Sequence, residues 1–441
     1  MQFRTTLFIL GLLVATVKSQ AQNIRPISLQ EAVELALTNA DASKLADAKL
    51  NTAESELNVT KNLQYPDVKL SGQYLRLTNA DVNLKFASGS SASEEGTDQE
   101  SSSPNVNQLV LGQANVSMPL FSGFKLKNIV KAGENQLEAA KFTNANDKEQ
   151  LAMQTISNFL NLYKATQTIA LIQENLKTAQ QREKDFSAME QNGLLARNDL
   201  LKSQLQVSNT EISLEEAKKA QYILNYQLAV LLKLPEDTVF DTQLPEDALL
   251  TPTTSMMANS RSDLQALQAN EKAAEHQIKV AQSNYYPSLS IVGGYIALDV
   301  HNAISVTNAM NIGVGVSYNL ADIFKTKSDV KLAKSKVEEL KYTIDKYSSN
   351  IKVEIENAKR TYELALKTSE VYSQSELQAT ENYRIVKDKY DNGLEDTNDL
   401  LEADVEQLQA KINLANSKAD STLKYYELLT SQGQLINSLQ N

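Results

Sequence analysis

The chain has no cysteine and no tryptophan, two histidines, and only 14 glycines and 8 prolines among 441 residues. Without cysteine there can be no disulfide framework, no thiolate metal site and no lipidated N-terminal Cys, so stability must come from packing and assembly. His276 and His301 stand in a helical run and a strand-connecting loop, without HExxH spacing. Both are read as surface or packing residues, and no metal site is expected. No Ser, His and acid grouping announces hydrolysis. The GVG at 313–315 precedes no helix that could receive a phosphate and is read as small residues of a strand. Neither an enzyme nor a cofactor is expected. A basic field is also missing: the formal net charge is −11, which speaks against nucleic acid as a partner.

Long apolar runs are absent as well. The longest, Leu7 to Val17, is about half of what a bilayer-spanning helix requires. Arg4 precedes it and Ser19, Gln20 and Ala21 follow, so residues 1–21 read as a secretory signal cut near Ala21. The mature chain is expected to be exported. With so few breakers, the intervening stretches should form very long helices. Val337, Leu340, Ile344, Tyr347, Ile351, Ala358, Tyr362 and Ala365 recur at steps of three, four or seven, as in a coiled coil.

The chain also repeats itself. YPDVKLSGQY at 65–74 matches YPSLSIVGGY at 286–295, an offset of 221; NGLLARNDLL at 192–201 matches NGLEDTNDLL at 392–401, an offset of 200. The difference falls on the polar stretch from Phe86 to Asn105, the one segment of loop composition in that interval. Between Lys127 and Asn192 the offset stays constant, so two helical segments of about 66 residues, each about 100 Å long, have kept equal length. The runs from Ser28 to Asn62 and from Asp199 to Leu234, about 35 residues each, would together match one long helix. Residues 234–260, rich in Pro, Asp and Thr, read as a connector.

Each YP should stop a helix, because the residue before proline is pushed toward extended conformations. Strands are expected at about 67–78 and 288–298, with partners at about 107–120 and 308–320. The last of these alternates Met310, Ile312, Val314, Val316, Tyr318 and Leu320 with Asn311, Gly313, Gly315, Ser317 and Asn319. Strands of about ten residues with one apolar face and flanking aromatics suit a membrane barrel. Four strands cannot close one, and an open edge in hydrocarbon leaves backbone groups unpaired, so several copies must share a barrel.

Together, SLQEAVELAL at 28–37, the helix-to-strand YP, MPLFSGFKLKN at 118–128, NGLLARNDLL, LAVLLKLP at 228–235 and the duplicated second half resemble the TolC-like outer membrane efflux proteins. The resemblance covers about residues 28–433. It implies a mainly α fold with a transmembrane β-barrel portion: a long coiled-coil α-helical barrel plus four membrane strands per protomer, closed as a 12-stranded barrel in a homotrimer. It also implies an outer membrane location in lipid, and docking of a periplasmic adaptor (membrane fusion) protein and an inner-membrane pump, for efflux or type I secretion. The expected organisation is a signal at 1–21, a first repeat at 22–235 with a helical hairpin about 124–233, a connector at 236–260, a second repeat at 261–433 with a hairpin about 322–430, and a polar C-terminal tail at 434–441.

The hairpin turns, near 192–198 and 391–398, are the candidate functional site. Gly193 and Gly393 suit the left-handed residue after a helix, each followed by a leucine, Leu194 and Leu394. The resemblance makes these turns the periplasmic pore tip and adaptor contact, with Tyr390, Asp199, Asp399 and Glu402 on it. Asp399 and Glu402, spaced i, i+3, allow two readings: a helix start whose acids oppose the dipole or form a capping box, or, by resemblance, a negative ring around the pore. Where better-studied members carry an arginine two residues after the second glycine, this chain has Glu395, so no salt-bridge lock is carried over. The competing reading of the whole chain is an exported trimeric coiled-coil adhesin or structural surface protein. Adhesin anchors would place their strands at one terminus, whereas these are internal and duplicated.

Overall fold

A computed structural model of the chain describes residues 24–81, 105–244, 261–301 and 304–439. The expected signal at 1–21, most of the Phe86–Asn105 insert and the later part of the connector lie outside the described residues. The chain divides into two compact units. One holds Asn51–Ala139 and Leu267–Thr343; the other holds the chain up to Leu50, Ala140–Ala266 and Ile344 onward.

The first of these carries a sheet of β2 (Asp67–Asp81), β3 (Asn105–Ser122), β5 (Ser288–Val300) and β6 (Ile304–Ser317), in the order β2-β3-β5-β6 with every pair antiparallel. The repeats are therefore stitched together by β3 and β5. Helices stop before both prolines: α2 (Asp41–Asn62) ends ahead of Pro66, and α5 (Ser262–Gln282) passes through a single 3-10 turn, Ser283–Tyr285, ahead of Pro287. Register sorts the side chains by chemistry. Val68, Val116, Gly293 and Ile312 form one row across the sheet, and Leu70, Ala114, Tyr295 and Met310 the next. On the opposite face Lys69, Asn115, Gly294 and Asn311 align. Among the described residues nothing covers the apolar face: Leu70 is 81%, Met310 80% and Ile312 86% exposed.

The strand expected to reach residue 320 ends at Ser317. The Asn319 side chain accepts from the Ala321 backbone N–H at 3.2 Å and donates to Asp322 at 3.0 Å. That turn starts α6 (Asp322–Asp391) and takes Tyr318 and Leu320 off the strand face. Among the described residues no helix is long and apolar enough to cross a membrane.

The second unit is helical apart from one small parallel pair, β1 (Ile24–Ile27) with β4 (Val239–Thr242). β4 lies inside the segment read as connector. The Asn225 side chain holds it, donating to the Thr238 carbonyl and accepting from the Phe240 N–H. Ser28 caps α1 (Leu29–Asn39) by accepting from the Glu31 N–H at 3.1 Å. The single helix expected from Ser28 to Asn62 is broken at Ala40, whose ψ of 143° is extended. A Ser43 hydroxyl bonded to the Leu37 carbonyl bridges the break before α2 resumes. The long helices α3 (Lys125–Gln191), α4 (Arg197–Leu232), α6 and α7 (Thr397–Ser431) contribute to this unit, and Ile156, Phe159, Leu160, Leu228, Leu232 and Leu428 fill its core. The segment expected as a polar tail forms α8 (Leu435–Leu439) instead. Leu435 is fully buried in that core, and its N–H donates to Glu149.

The duplication shows in element ends. Strands β2 and β5 begin 221 residues apart, at Asp67 and Ser288, while α3 and α6 end 200 residues apart, at Gln191 and Asp391.

Candidate functional site

Two helix-to-helix turns, from Gln191 to Arg197 and from Asp391 to Thr397, hold most of the residues singled out in the sequence. Their backbones are close copies. Gly193 and Gly393 adopt φ of 73° and 71°, where a side chain would be strained though no atom lies within 4 Å of an added Cβ. In each turn the glycine N–H bonds the carbonyl three residues back, Glu190 or Tyr390. The next leucine reaches Met189 or Lys389, the Schellman pattern that satisfies a helix end. Leu194 and Leu394 are left 74% and 75% exposed. Burying two such side chains would be favourable, so these turns carry an unfilled apolar contact.

Behind the turns the hairpins share a small core in which Phe186, Leu200 and Leu400 are buried against Met189, Leu195, Tyr383, Val386 and Tyr390. The Tyr390 ring lies 5.7 Å from that of Phe186. Burial pushes the Tyr390 phenol up, partly offset by a hydrogen bond from Thr397. Asp199 lies 3.5 Å from the Lys202 ammonium.

The charges differ between the turns. Lys389 Nζ sits 2.8 Å from Glu395 and holds that carboxyl below its usual range. Asp396 caps α7, its side chain accepting from the Asn398 and Asp399 N–H groups at 2.7 and 3.1 Å. The Asp396 N–H in turn bonds the Asp399 carboxylate, which completes a capping box. Asp399 is also hydrogen-bonded to Glu395 and repelled by Asp396, so its pKa is raised. Of the two charges in the Glu395 and Asp399 pair, Lys389 favours the first, and a proton entering goes to Asp399. Glu402 is exposed and has no hydrogen bond or ion pair among the described residues.

Sequence reasoning did not reach Arg182 and Asp404. Asp404 is 2% and Arg182 8% exposed in their side chains, and they pair at 3.0 Å. Asn175 donates to the other Asp404 oxygen, and Arg182 donates to the Tyr383 hydroxyl. Burial opposes the Arg182 charge, but Asp404 outweighs it and the guanidinium ends above its ordinary pKa. This network ties the first hairpin to the second. No local motif could have revealed it, since its partners are 222 residues apart. Asp396 was discoverable, because an acid three residues ahead of another at a helix start is a capping pattern. Among the described residues no group of His, Cys, Asp and Glu could hold a metal ion.

A sequence profile of the family described as Outer membrane efflux protein matches residues 32–232 and 254–434. The chain belongs to that family. It is 21% identical over 327 residues to the outer membrane efflux protein BepC of Brucella suis biovar 1 (strain 1330), covering 72% of this chain and 70% of that one. Its fold is similar to that of the Campylobacter jejuni CmeC outer membrane channel, with a TM-score of 0.78 at 18% identity over 92% of this chain and 86% of that one. The outer membrane protein VceC of Vibrio cholerae superposes with a TM-score of 0.74 at 16% identity, over 92% of this chain and 96% of that one. The protein is thus an outer membrane channel subunit of an efflux system, with a helical portion and a β portion, and not an enzyme.

Proposed function

We propose that the chain works as a homotrimer, in which the sheets of three copies close one 12-stranded barrel through the outer membrane of a Gram-negative bacterium. The observation that carries this reading is the four-stranded sheet with an uncovered apolar face and open edges at β2 and β6. Hydrocarbon tolerates such a face but not such edges, and closing the ring across copies removes them. Export through a signal at 1–21 brings the chain there, and the insert around 86–105, flanked by strands, lies outside the cell. The helical hairpins extend into the periplasm, where their tips meet an adaptor and, through it, an inner-membrane pump. That pump supplies energy and direction for efflux, or for type I secretion. The conduit itself is passive. A mass in mild detergent equal to three chains is the expected result, and a stable, inserted monomer would overturn the architecture.

The tip sets the charge of the opening. Gly193, Leu194, Gly393 and Leu394 form the adaptor contact, Tyr390 and Asp199 pack and polarise the wall, and Asp399 and Glu402, with Glu395 behind them, ring the pore. Such a ring attracts cations, as acidic rings do in channels. Because the Asp399 pKa is raised, chiefly by its hydrogen bond to Glu395, this carboxylate loses its charge at a higher pH than an ordinary aspartate and before Glu395 does. In planar bilayers the channel is expected to be cation-selective and blocked by multivalent cations from the helical side, with block weakening in acid and at high salt. Asp399→Asn with Glu402→Gln should abolish both properties. If both persist in the double variant, these acids only start a helix.

A further inference from the structure

The border between strand and helix carries one short motif twice: FKLKNIVK at 124–131 and FKTKSDVK at 324–331. Phe124, Lys125, Lys127 and Lys131 thus recur as Phe324, Lys325, Lys327 and Lys331. On the entering side Tyr65 and Tyr286 form a second duplicated pair, each just ahead of a proline. All four rings face solvent, with Tyr65 69%, Tyr286 53%, Phe124 57% and Phe324 82% exposed. The lysines are exposed too, and none of them is in an ion pair among the described residues. Lys61 and Lys279, in the last turns of α2 and α5, add cations at the same border, where the acids are Asp67, Asp322 and Asp329, with Glu134 and Glu275 beside Lys131 and Lys279 around His276. This local excess of cations stands within a chain of net charge −11.

Two observations separate the motif from ordinary surface. Lys125 and Lys127 occupy the first turn of α3, which contains no acid, although a helix N-terminus disfavours cations. Local helix stability does not explain them. Phe124 adopts a φ of 65°, unusual for a bulky residue, and lies edge-on to Phe121 and Tyr286 at 5.3 and 6.5 Å. The bulge between Pro119 and Phe121 sets Phe121 opposite Leu289, on the apolar face of the sheet. The aromatic cluster is therefore continuous with the lipid-facing rows.

We infer that this border is a phospholipid-binding collar: the rings sit at the interface of the leaflet on the helical side, and the duplicated lysines hold the headgroup phosphates of anionic phospholipids. Aromatic side chains favour that depth, and ammonium groups just beyond it meet the phosphate layer. The inference rests on the reading that the strands cross the membrane.

The full chain, reconstituted in phosphatidylcholine vesicles, is probed with spin-labelled phosphatidylglycerol and, separately, spin-labelled phosphatidylcholine. At low salt the immobilised fraction should report a preference for the anionic lipid on the order of fivefold, about what one lysine per lipid contributes. That preference should vanish in 1 M salt. It should also vanish in the variant Lys125→Gln, Lys127→Gln, Lys325→Gln, Lys327→Gln. Equal binding of both lipids by the inserted wild-type chain, or a preference that survives salt, would overturn the collar while leaving the membrane reading intact. Failure of the wild-type chain to insert into any vesicle would instead overturn the membrane reading, and the collar with it.

Discussion

The two hairpin turns have one backbone and two chemistries. The first starts its second helix at Ala196, which offers no side-chain cap, and carries Arg197 in the turn. The second starts at Asp396 within a capping box, and Glu395 and Asp399 crowd beside it. Duplication supplied the geometry twice, and the side chains then diverged. Where the copies agree, as at the glycines and at the pair Leu200 and Leu400, the residue answers a backbone or packing demand. Where they differ, as at Ala196 and Asp396, one copy has gained a helix cap that the other lacks.

The largest expected effect tests a buried link between the hairpins that has no duplicate. The positions equivalent to Arg182 and Asp404 in the other repeat are Asn382 and Gln204, so the ion pair is made once per chain. Asp404→Leu alone should destabilise the helical unit by about 3–5 kcal/mol, because it strands a buried guanidinium. Replacing both partners, with Arg182→Met added, should restore most of that loss. Denaturant midpoints of the single and double variants make the comparison, and an undiminished loss in the double variant would mean that packing, not charge, was removed.

A smaller effect should be equal in the two turns. Gly193→Ala and Gly393→Ala each force a left-handed conformation on alanine with no clash, at a cost of about 1–2 kcal/mol. Matching losses in local hydrogen-exchange protection are expected. A cost confined to one turn would show that the backbones, too, have diverged.

The smallest effect sharpens the chemical contrast. Asp396→Ala should cost about 1 kcal/mol, and Ala196→Asp should gain a similar amount, since each trades a capped for an uncapped helix start. Hydrogen exchange of the first turns of α4 and α7 reads both. The Asp396→Ala variant should also lower the raised Asp399 pKa, because Asp396 is one of the charges that raises it. The carboxyl shift of Asp399, followed by NMR against pH, would reveal any failure to move.

Much of this architecture was legible before any coordinates. The scarcity of Gly and Pro announced long helices, the duplicated YP marked where helices give way to strands, and the constant offset between Lys127 and Asn192 fixed equal hairpins. What escaped was governed by contacts distant in sequence. The break at Ala40 involves neither Gly nor Pro and is stabilised by a serine hydroxyl. The pairing of β1 with β4 is four residues long and joins segments more than two hundred positions apart. The polar composition of the last residues hid Leu435, which is buried in the helical core. At the tip, the glycines and acids could be picked out by their spacing, but Lys389, which holds Glu395, and the buried pair of Arg182 and Asp404 could not, since none of them carries a motif.

The joining of β3 to β5 has a consequence for how a ring of hairpins can be built. Had the two halves been separate proteins, every junction between hairpins would form by collision and would weaken on dilution. Fusion moves half of those junctions inside the chain, where the tether fixes the effective concentration of one hairpin about the next. In the proposed ring, only the encounters of β2 with the β6 of a neighbouring copy remain dependent on how much protein reaches the membrane. Assembly takes fewer steps and depends less steeply on concentration, and a half-built ring exposes fewer kinds of open edge to the lipid.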